Sequence, residues 1–145
     1  MGMIERFKSY TAALEQAYRD DDWSRLAPYF AENASYRSYY GGDIEVTGRD
    51  AVLNQLRAEA ESFDRKFDSR VVEYFDGPRE ERGRIFTMWR VTYSKAGSPD
   101  LVLTGNEIAT FIGDEMTLLE GHYQPEVFAE FSSWLNEYGS FVHAS

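Results

Sequence analysis

The sequence predicts an α+β fold, in which helices come first and a strongly curved antiparallel sheet follows. In Ile4–Tyr18, apolar residues recur three and four positions apart, as on one face of a helix. Long runs of alternating apolar and polar residues fill the second half. Turn signals separate these runs at Asp76-Gly77-Pro78, Ala96–Asp100 and Gly113-Asp114. This segregation of helices and strands is typical of α+β folds.

The remaining elements of the first half follow from local signals. Asp22 can cap a short helix that begins at Trp23. A strand, a short second arm after the Gly41-Gly42 turn, and a long helix with an apolar side are then predicted. Their ranges are Ser35–Tyr40, Ile44–Thr47 and Arg49 to about Phe67.

Four strands and a closing helix make up the second half. The predicted strands are Ser69–Phe75, Gly83–Ser94, Leu101–Ile112 and Met116–Gln124, and the helix is Glu126–Tyr138. Both alternating faces of Gly83–Ser94 are substantially apolar, which indicates burial on both sides. A helix layer covers only one face. We therefore expect a homodimer through the outer face of the sheet.

Length, charge and composition limit the function classes. The 145 residues fit one domain spanning 1–145. A net charge of −10 opposes binding to nucleic acids and to anionic membranes. The absence of cysteine, of clustered histidines and of nucleotide-binding motifs predicts no metal and no cofactor. The N-terminal residues lack the apolar centre of a signal peptide, so a cytoplasmic location is expected.

The order of motifs resembles one known family. A helix is followed by A-E-N-A-S-Y (Ala31–Tyr36), by a Gly-Gly turn, and by G-R-D-A-V-L (Gly48–Leu53). This order is similar to that of the SnoaL-like branch of the nuclear transport factor 2-like superfamily, over nearly the whole chain. The resemblance implies a cone-shaped pocket formed by the sheet and helices, a small hydrophobic ligand, and a homodimer.

Two charged residues in otherwise apolar strands are the candidates for chemistry. Arg90 lies between Trp89 and Val91, and Glu107 lies in T-G-N-E-I-A-T-F. A buried charge is costly unless it is paired, so both positions are candidate site residues. A lone Glu107 in an apolar pocket would have a raised pKa suited to proton transfer. A neighbouring Arg90 would instead keep the carboxylate ionised, as a catalytic or a structural pair.

The resemblance to ketosteroid isomerases implies which residues of this chain occupy their three functional positions. Aligned on A-E-N-A-S, it implies Leu14 at the position of their catalytic tyrosine and Ser38 at that of their base aspartate. It also implies Glu107 at the position of their donor acid. One of three functional residues is retained, so steroid-type isomerisation is not expected.

Two further relatives retain as little. Resemblance to limonene-epoxide hydrolases implies Arg90 and Thr92 for their Arg-x-Asp pair and Gly121 for a later aspartate. Resemblance to polyketide cyclases implies inward Leu119 and Gly121 where those enzymes carry an acid. The reaction type therefore stays open.

A slip of one residue in the last strand would reverse its two faces. It would turn Glu120 and His122 inward and make His122 an alternative base. We expect the following residues to bind the ligand: Tyr18, Ser38, Tyr40, Met88, Thr92, Gly121 and Tyr123.

Two functions remain open. The first is a cofactor-free acid–base enzyme of the cyclase, isomerase, dehydratase or hydrolase type. There Glu107 would carry the proton and Arg90 would stabilise negative charge. The second is a non-catalytic dimeric module that binds a ligand or another protein.

Overall fold

The computed structural model describes residues 2–39, 43–124 and 126–143, without the side chain of the last residue. Three α-helices lie in these ranges: α1 (Met3–Asp20), α2 (Arg49–Ser62) and α3 (Val127–Tyr138). The six strands are β1 (Phe30–Tyr39), β2 (Ile44–Thr47), β3 (Ser69–Glu81), β4 (Arg84–Ser94), β5 (Leu101–Ile112) and β6 (Glu115–Tyr123). Short 3₁₀ turns occupy Trp23–Tyr29, Asp64–Lys66 and Gly139–His143. The predicted α+β fold with a curved sheet is confirmed.

The strands form one sheet in the order β2-β1-β6-β5-β4-β3. Four neighbouring pairs are antiparallel, but β1 runs parallel to β6. The sheet is thus antiparallel, as predicted, at every one of these pairs except β1–β6. A hairpin forces its two strands to be antiparallel, whereas β1 and β6 are joined through the rest of the sheet and α2.

Two apolar clusters hold the helices against the inward face of the sheet. The larger cluster includes Phe7, Tyr10, Leu26, Phe30 and Val52, all buried between α1, α2 and the sheet. The second cluster surrounds Phe67, Trp89, Tyr93 and Trp134, beneath α3. The indole Nε1 of Trp134 donates to the Pro99 carbonyl at 3.0 Å. These clusters fix the helices on both sides of the candidate site.

The end of α2 differs from the prediction. The helix ends at Ser62, not near Phe67, because Phe63 leaves helical geometry with φ −135° and ψ −70°. The Phe63 ring makes edge-on contacts with Phe67 and Tyr93, at centroid distances of 5.1 and 5.2 Å. These contacts favour the early end of the helix. The 3₁₀ turn that follows places Asp64 towards the interior.

Strand β3 also extends further than predicted. The signal at Asp76-Gly77-Pro78 marks irregular register within the strand, not its end. The hairpin turn lies at Arg82-Gly83, where both residues have positive φ (53° and 77°). This is the geometry that two-residue hairpin loops favour.

Strand β1 begins at Phe30, five residues before the predicted start, and its register with β6 shifts before Ser35. The predicted end of the strand at Tyr40 and the Gly41-Gly42 turn lie outside the described residues. Among the helices of the described ranges, none combines the length and apolar character needed to cross a bilayer.

Candidate functional site

A cavity of about 290 Å³ lies between the inward face of the sheet and all three α-helices. Its wall is rich in aromatic residues, and the tyrosines among the described lining residues come from five different elements. They are Tyr10, Tyr18, Tyr36, Tyr74, Tyr93 and Tyr123. Four ionisable groups also line it: Glu59, Asp64, Arg70 and Glu107. A concave, mainly apolar space with a few polar groups is typical of a small-molecule site.

Glu107 is the polar residue at the centre of the sheet wall. On the neighbouring strands it lies opposite Thr87 of β4 and Gly121 of β6. Because Gly121 has no side chain and the side chain of Thr87 is short, space remains in front of the Glu107 carboxyl group. In the next strand Ser38 lies opposite Gly121, which extends this row of small residues. The inward face of the sheet is therefore recessed around Glu107.

One oxygen of the Glu107 carboxyl group is buried without a compensating partner. Its Oε2 is inaccessible to solvent and makes no hydrogen bond within the described part of the chain. Burial raises the pKa of Glu107 to about 7; the Arg70 guanidinium lowers it, and the charges of Glu15 and Glu59 raise it. Glu107 is thus an acid that changes its protonation state near neutral pH.

A network centred on Arg70 of β3 forms one end of the cavity. Its Nη1 donates to both carboxylate oxygens of Glu15 at 3.1 and 2.9 Å. Its Nε lies 3.7 Å from Asp64, and its guanidinium stacks 3.9 Å over the Tyr18 ring. Asp64 also accepts hydrogen bonds from the hydroxyls of Tyr18, at 3.2 Å, and Tyr93. Burial raises the pKa of Asp64, and Arg70 opposes that shift.

Glu59 of α2 forms the third acidic group. It accepts hydrogen bonds from the Tyr36 hydroxyl at 2.8 Å and from Gln55 Nε2 at 3.3 Å. Burial raises its pKa, and these two neutral donors oppose the shift. The pocket therefore holds one carboxyl group with neutral donors and another, Glu107, whose Oε2 has none.

No protein-family model and no curated protein matches the sequence. A Catenulispora acidiphila protein with a ketosteroid isomerase-like fold, in complex with trimethylamine, is similar in structure, with TM-score 0.63 and 17% identity. The match covers 90% of this chain and 92% of that one.

Two further solved structures are similar. One is a nuclear transport factor 2-like protein of unknown function from Exiguobacterium, with TM-score 0.63, 18% identity and coverage of 83% and 98% of the two chains. The other, from Rhodopseudomonas palustris, is provisionally named an isomerase, with TM-score 0.66, 18% identity and coverage of 88% and 96%. The chain has the nuclear transport factor 2-like fold. At these identities the likeness establishes the fold alone.

In this nuclear transport factor 2-like fold, Arg90 lies on the opposite face of the sheet from Glu107. It lies opposite Thr104 of β5 and shares the outer face with Met88 and Thr92. Its side chain is 42% exposed, lies 4.0 Å from Glu73, and stacks over Phe75. The predicted Arg90–Glu107 pair is therefore wrong.

Met88 and Thr92, predicted to bind the ligand, also lie outside the cavity. They have the same parity as Arg90 along β4, whereas the pocket-lining Trp89 and Val91 have the other parity. Side chains of a strand alternate between its faces, so all three predicted residues of β4 lie together on the outer face, away from the cavity.

The alternative base, His122, does not face the cavity either. Its ring stacks on Tyr39 at a centroid distance of 4.6 Å, on the outer face. Glu120 lies on the same face, 3.9 Å from Arg37. From Leu118 to Tyr123 the register of β6 with β5 thus has no slip, and Leu119 and Gly121 face inward as expected.

Four of the residues predicted to bind the ligand line the cavity: Tyr18, Ser38, Gly121 and Tyr123. Tyr40 lies outside the described residues. Glu59, Asp64 and Arg70 also line the cavity, and none of them was predicted from the sequence. The only signal for Arg70 is its alternation with Val72 and Tyr74 at the start of β3, and both of these also line the cavity.

Gly105 gives the Trp89 ring of the cavity wall the space to pack against the backbone of β5. It lies opposite Trp89, and a Cβ atom at Gly105 would lie 2.3 Å from the His122 carbonyl oxygen and 2.5 Å from the Trp89 ring. Neither neighbour can yield easily, because one is backbone and the other is a buried indole.

Gly105→Ala is therefore expected to destabilise the protein by about 1–3 kcal/mol, as overpacking does. Urea unfolding measures the loss. Gly2→Ala is the control, since its new Cβ meets only the flexible end of Glu5. Equal stability of Gly105→Ala and Gly2→Ala would contradict this packing.

Within the described ranges, no group of three or more histidine and acidic side chains is arranged to hold a metal ion.

Proposed function

We propose that the cavity binds a small, largely apolar molecule and that Glu107 transfers a proton to or from it. The observation that carries this proposal is the partnerless Oε2 of Glu107 in an aromatic cavity of about 290 Å³. A carboxyl group whose pKa lies near neutral pH serves as both acid and base. The reaction would be a cofactor-free isomerisation, cyclisation, dehydration or hydrolysis.

Tyr10 and Tyr74, not Arg90, are the residues that would stabilise negative charge developing on the ligand. Both line the cavity, and burial followed by the charge of Glu107 raises the pKa of each hydroxyl. Each therefore stays protonated and is available as a hydrogen-bond donor. Donors fixed near a developing oxyanion lower its energy in a site that excludes water.

The fold neighbours support the binding part of this proposal. The protein from Catenulispora acidiphila was crystallised with trimethylamine, and the neighbour from Rhodopseudomonas palustris is provisionally named an isomerase. The same architecture in this chain encloses a cavity for a molecule of on the order of ten non-hydrogen atoms, if one water-sized group takes about 30 Å³.

Crystals soaked with mixtures of flat molecules of that size test the binding step. We expect density in the cavity within contact distance of Glu107. A cavity that stays free of every compound, while the same mixtures bind elsewhere on the surface, would contradict the proposal.

Glu107→Gln tests the proton-transfer step on the compounds that bind. We expect turnover to fall by about 10²–10⁴-fold, the usual contribution of a general acid or base. Glu32→Gln, which removes an exposed carboxylate on β1, is the matched control and should retain full activity. Unchanged turnover in Glu107→Gln would exclude the glutamate as the proton carrier.

We propose a homodimer as the second feature of the function, because the outer face of the sheet is exposed and apolar. Val71, Phe75, Val102 and Ile112 are all exposed, Ile112 by 74%. The same face carries charges of both signs, among them Arg90 and Glu73, so two copies related by a twofold axis can pair them. This is also the surface of the alternative, non-catalytic module.

Phe75→Glu tests this interface. Sedimentation equilibrium of the unaltered protein is expected to give twice the mass of the chain, and Phe75→Glu is expected to give a monomer. A monomeric unaltered protein at micromolar concentration would contradict the homodimer.

A further inference from the structure

We propose that the ligand of the cavity is a cation, namely a protonated organic amine with an apolar body. This inference rests on the proposed function, because it assigns the class of molecule that contacts Glu107. It follows from the balance of charge inside the cavity and from the chemistry of its wall.

Among the described residues that line the cavity, the one cationic residue is already matched by two acids. Arg70 donates to both oxygens of Glu15, and its Nε lies 3.7 Å from Asp64. The guanidinium is also covered by the Tyr18 ring. The Nε of Arg70 makes no hydrogen bond within the described residues, but Glu15 and Asp64 already offset the charge of the guanidinium, which leaves little net attraction for an anionic ligand.

The other two acids of the cavity have no cationic partner. Glu59 has two neutral donors, Tyr36 and Gln55, and Glu107 Oε2 has none. Neither carboxyl group takes part in a salt bridge within the described ranges. Because an ionised carboxylate in an apolar site is costly without a partner, an incoming positive charge would offset that cost.

The wall of the cavity suits the same ligand. Six tyrosines and Trp89 face the space in front of these acids. Aromatic faces attract ammonium groups through their negative electrostatic potential, and the rings also cover the apolar body of such a molecule. A carboxylate among aromatic rings thus recognises both ends of an amine.

An amine would also make a specific contact with Glu107. Its N–H groups can donate to the carboxylate of Glu107, which lines the cavity and whose Oε2 lacks a donor in the described part of the chain. A bound cation stabilises the carboxylate over the neutral acid, and the buried oxygen gains a charge-assisted hydrogen bond. An anionic ligand would instead meet the negative charges of Glu59 and Glu107.

Three probes of equal shape and different charge test this inference: 3-phenylpropylamine, 3-phenylpropan-1-ol and 3-phenylpropanoate. Calorimetry at pH 7.5 measures their affinities for the unaltered protein and for Glu107→Gln, Glu59→Gln and Glu32→Gln. We expect the amine to bind at least about tenfold more tightly than the alcohol, as one charge-assisted hydrogen bond provides. The carboxylate should bind most weakly.

The variants give the decisive comparison. Glu107→Gln should lose the tenfold preference for the amine while its affinity for the alcohol changes by less than about threefold. Glu59→Gln should reduce the preference in part, and Glu32→Gln should retain it. An alcohol or carboxylate that binds as tightly as the amine would overturn the cationic ligand and leave the proposed function standing. Failure of all three probes to bind would overturn both.

Discussion

Glu107→Gln is expected to stabilise the protein by about 3 kcal/mol at pH 8, an unusual result for a substitution in the interior. The folded protein holds the proton of Glu107 more tightly than the unfolded chain does, because burial raises the pKa from 4.5 to about 7. At about 1.4 kcal/mol for each pH unit between these two values, ionisation costs the folded state about 3 kcal/mol.

The pH dependence gives the sign of this effect. Below pH 4.5, Glu107 is protonated in both states and costs nothing. Between pH 4.5 and about 7, the unfolded chain ionises while the folded protein does not, so the stability of the unaltered protein falls relative to Glu107→Gln. Above about pH 7 the difference is constant.

Urea unfolding of both proteins from pH 4 to pH 8 measures this difference. Glu32→Gln is again the matched control, and its stability should follow that of the unaltered protein across the range. A Glu107→Gln protein that is less stable than the unaltered one at pH 8 would contradict a partnerless carboxyl group. It would point to an ion pair of Glu107, for which Arg70 is the cation among the described residues of the cavity.

Arg70→Met is expected to destabilise the protein by about 3–5 kcal/mol, the cost of leaving buried charges without their partner. Methionine retains most of the length of the side chain but removes the donors to Glu15 and the charge beside Asp64. The side chains of Arg70 and Asp64 are only 18% and 11% exposed, so solvent cannot replace the lost contacts.

Arg79→Met is the control for Arg70→Met, because Arg79 also contacts two carboxylates but is 43% exposed. Exposed pairs contribute up to about 1 kcal/mol, and a loss of that size is expected for Arg79→Met. The double variant Arg70→Met/Asp64→Asn should regain part of the stability, since one stranded charge is gone. Equal losses for Arg70→Met and Arg79→Met in urea unfolding would contradict a buried network.

Strand alternation was sufficient to place Glu107 correctly. It groups Glu107 with Ala109 and Phe111, which are buried, and the structure places all three on the inward face. The resemblance to polyketide cyclases implied that Leu119 and Gly121 face inward, and both line the cavity. Alternation works here because β5 and β6 have one face that is distinctly more buried than the other.

Alternation failed for Arg90 because both faces of β4 are apolar. It separates Arg90 from Trp89 and Val91 but cannot say which set faces the helices. That choice depends on the register of β4 with β5, which brings Thr87, not Arg90, opposite Glu107. Register across a hairpin is a property of the turn and of the whole sheet, and one strand does not encode it.

Asp64 and Arg70 were not predicted as site residues for a different reason. Asp64 faces the cavity because α2 ends at Ser62, and the contacts of Phe63 with distant rings favour that ending. Arg70 stands at the beginning of a strand, where a charged residue is ordinarily solvated. Tertiary packing determines where both side chains lie, and local sequence propensity does not predict it.

The pKa of Glu107 is the most direct test of the account as a whole. Carbon-13 NMR of the glutamate side-chain carboxyl groups, compared between the unaltered protein and Glu107→Gln, isolates the signal of this residue. We predict a titration midpoint of about 7, because the carboxyl group is buried in the cavity without a cationic partner. A midpoint at or below its ordinary value of 4.5 would show that Glu107 is solvated or paired, and would contradict its role as the proton carrier.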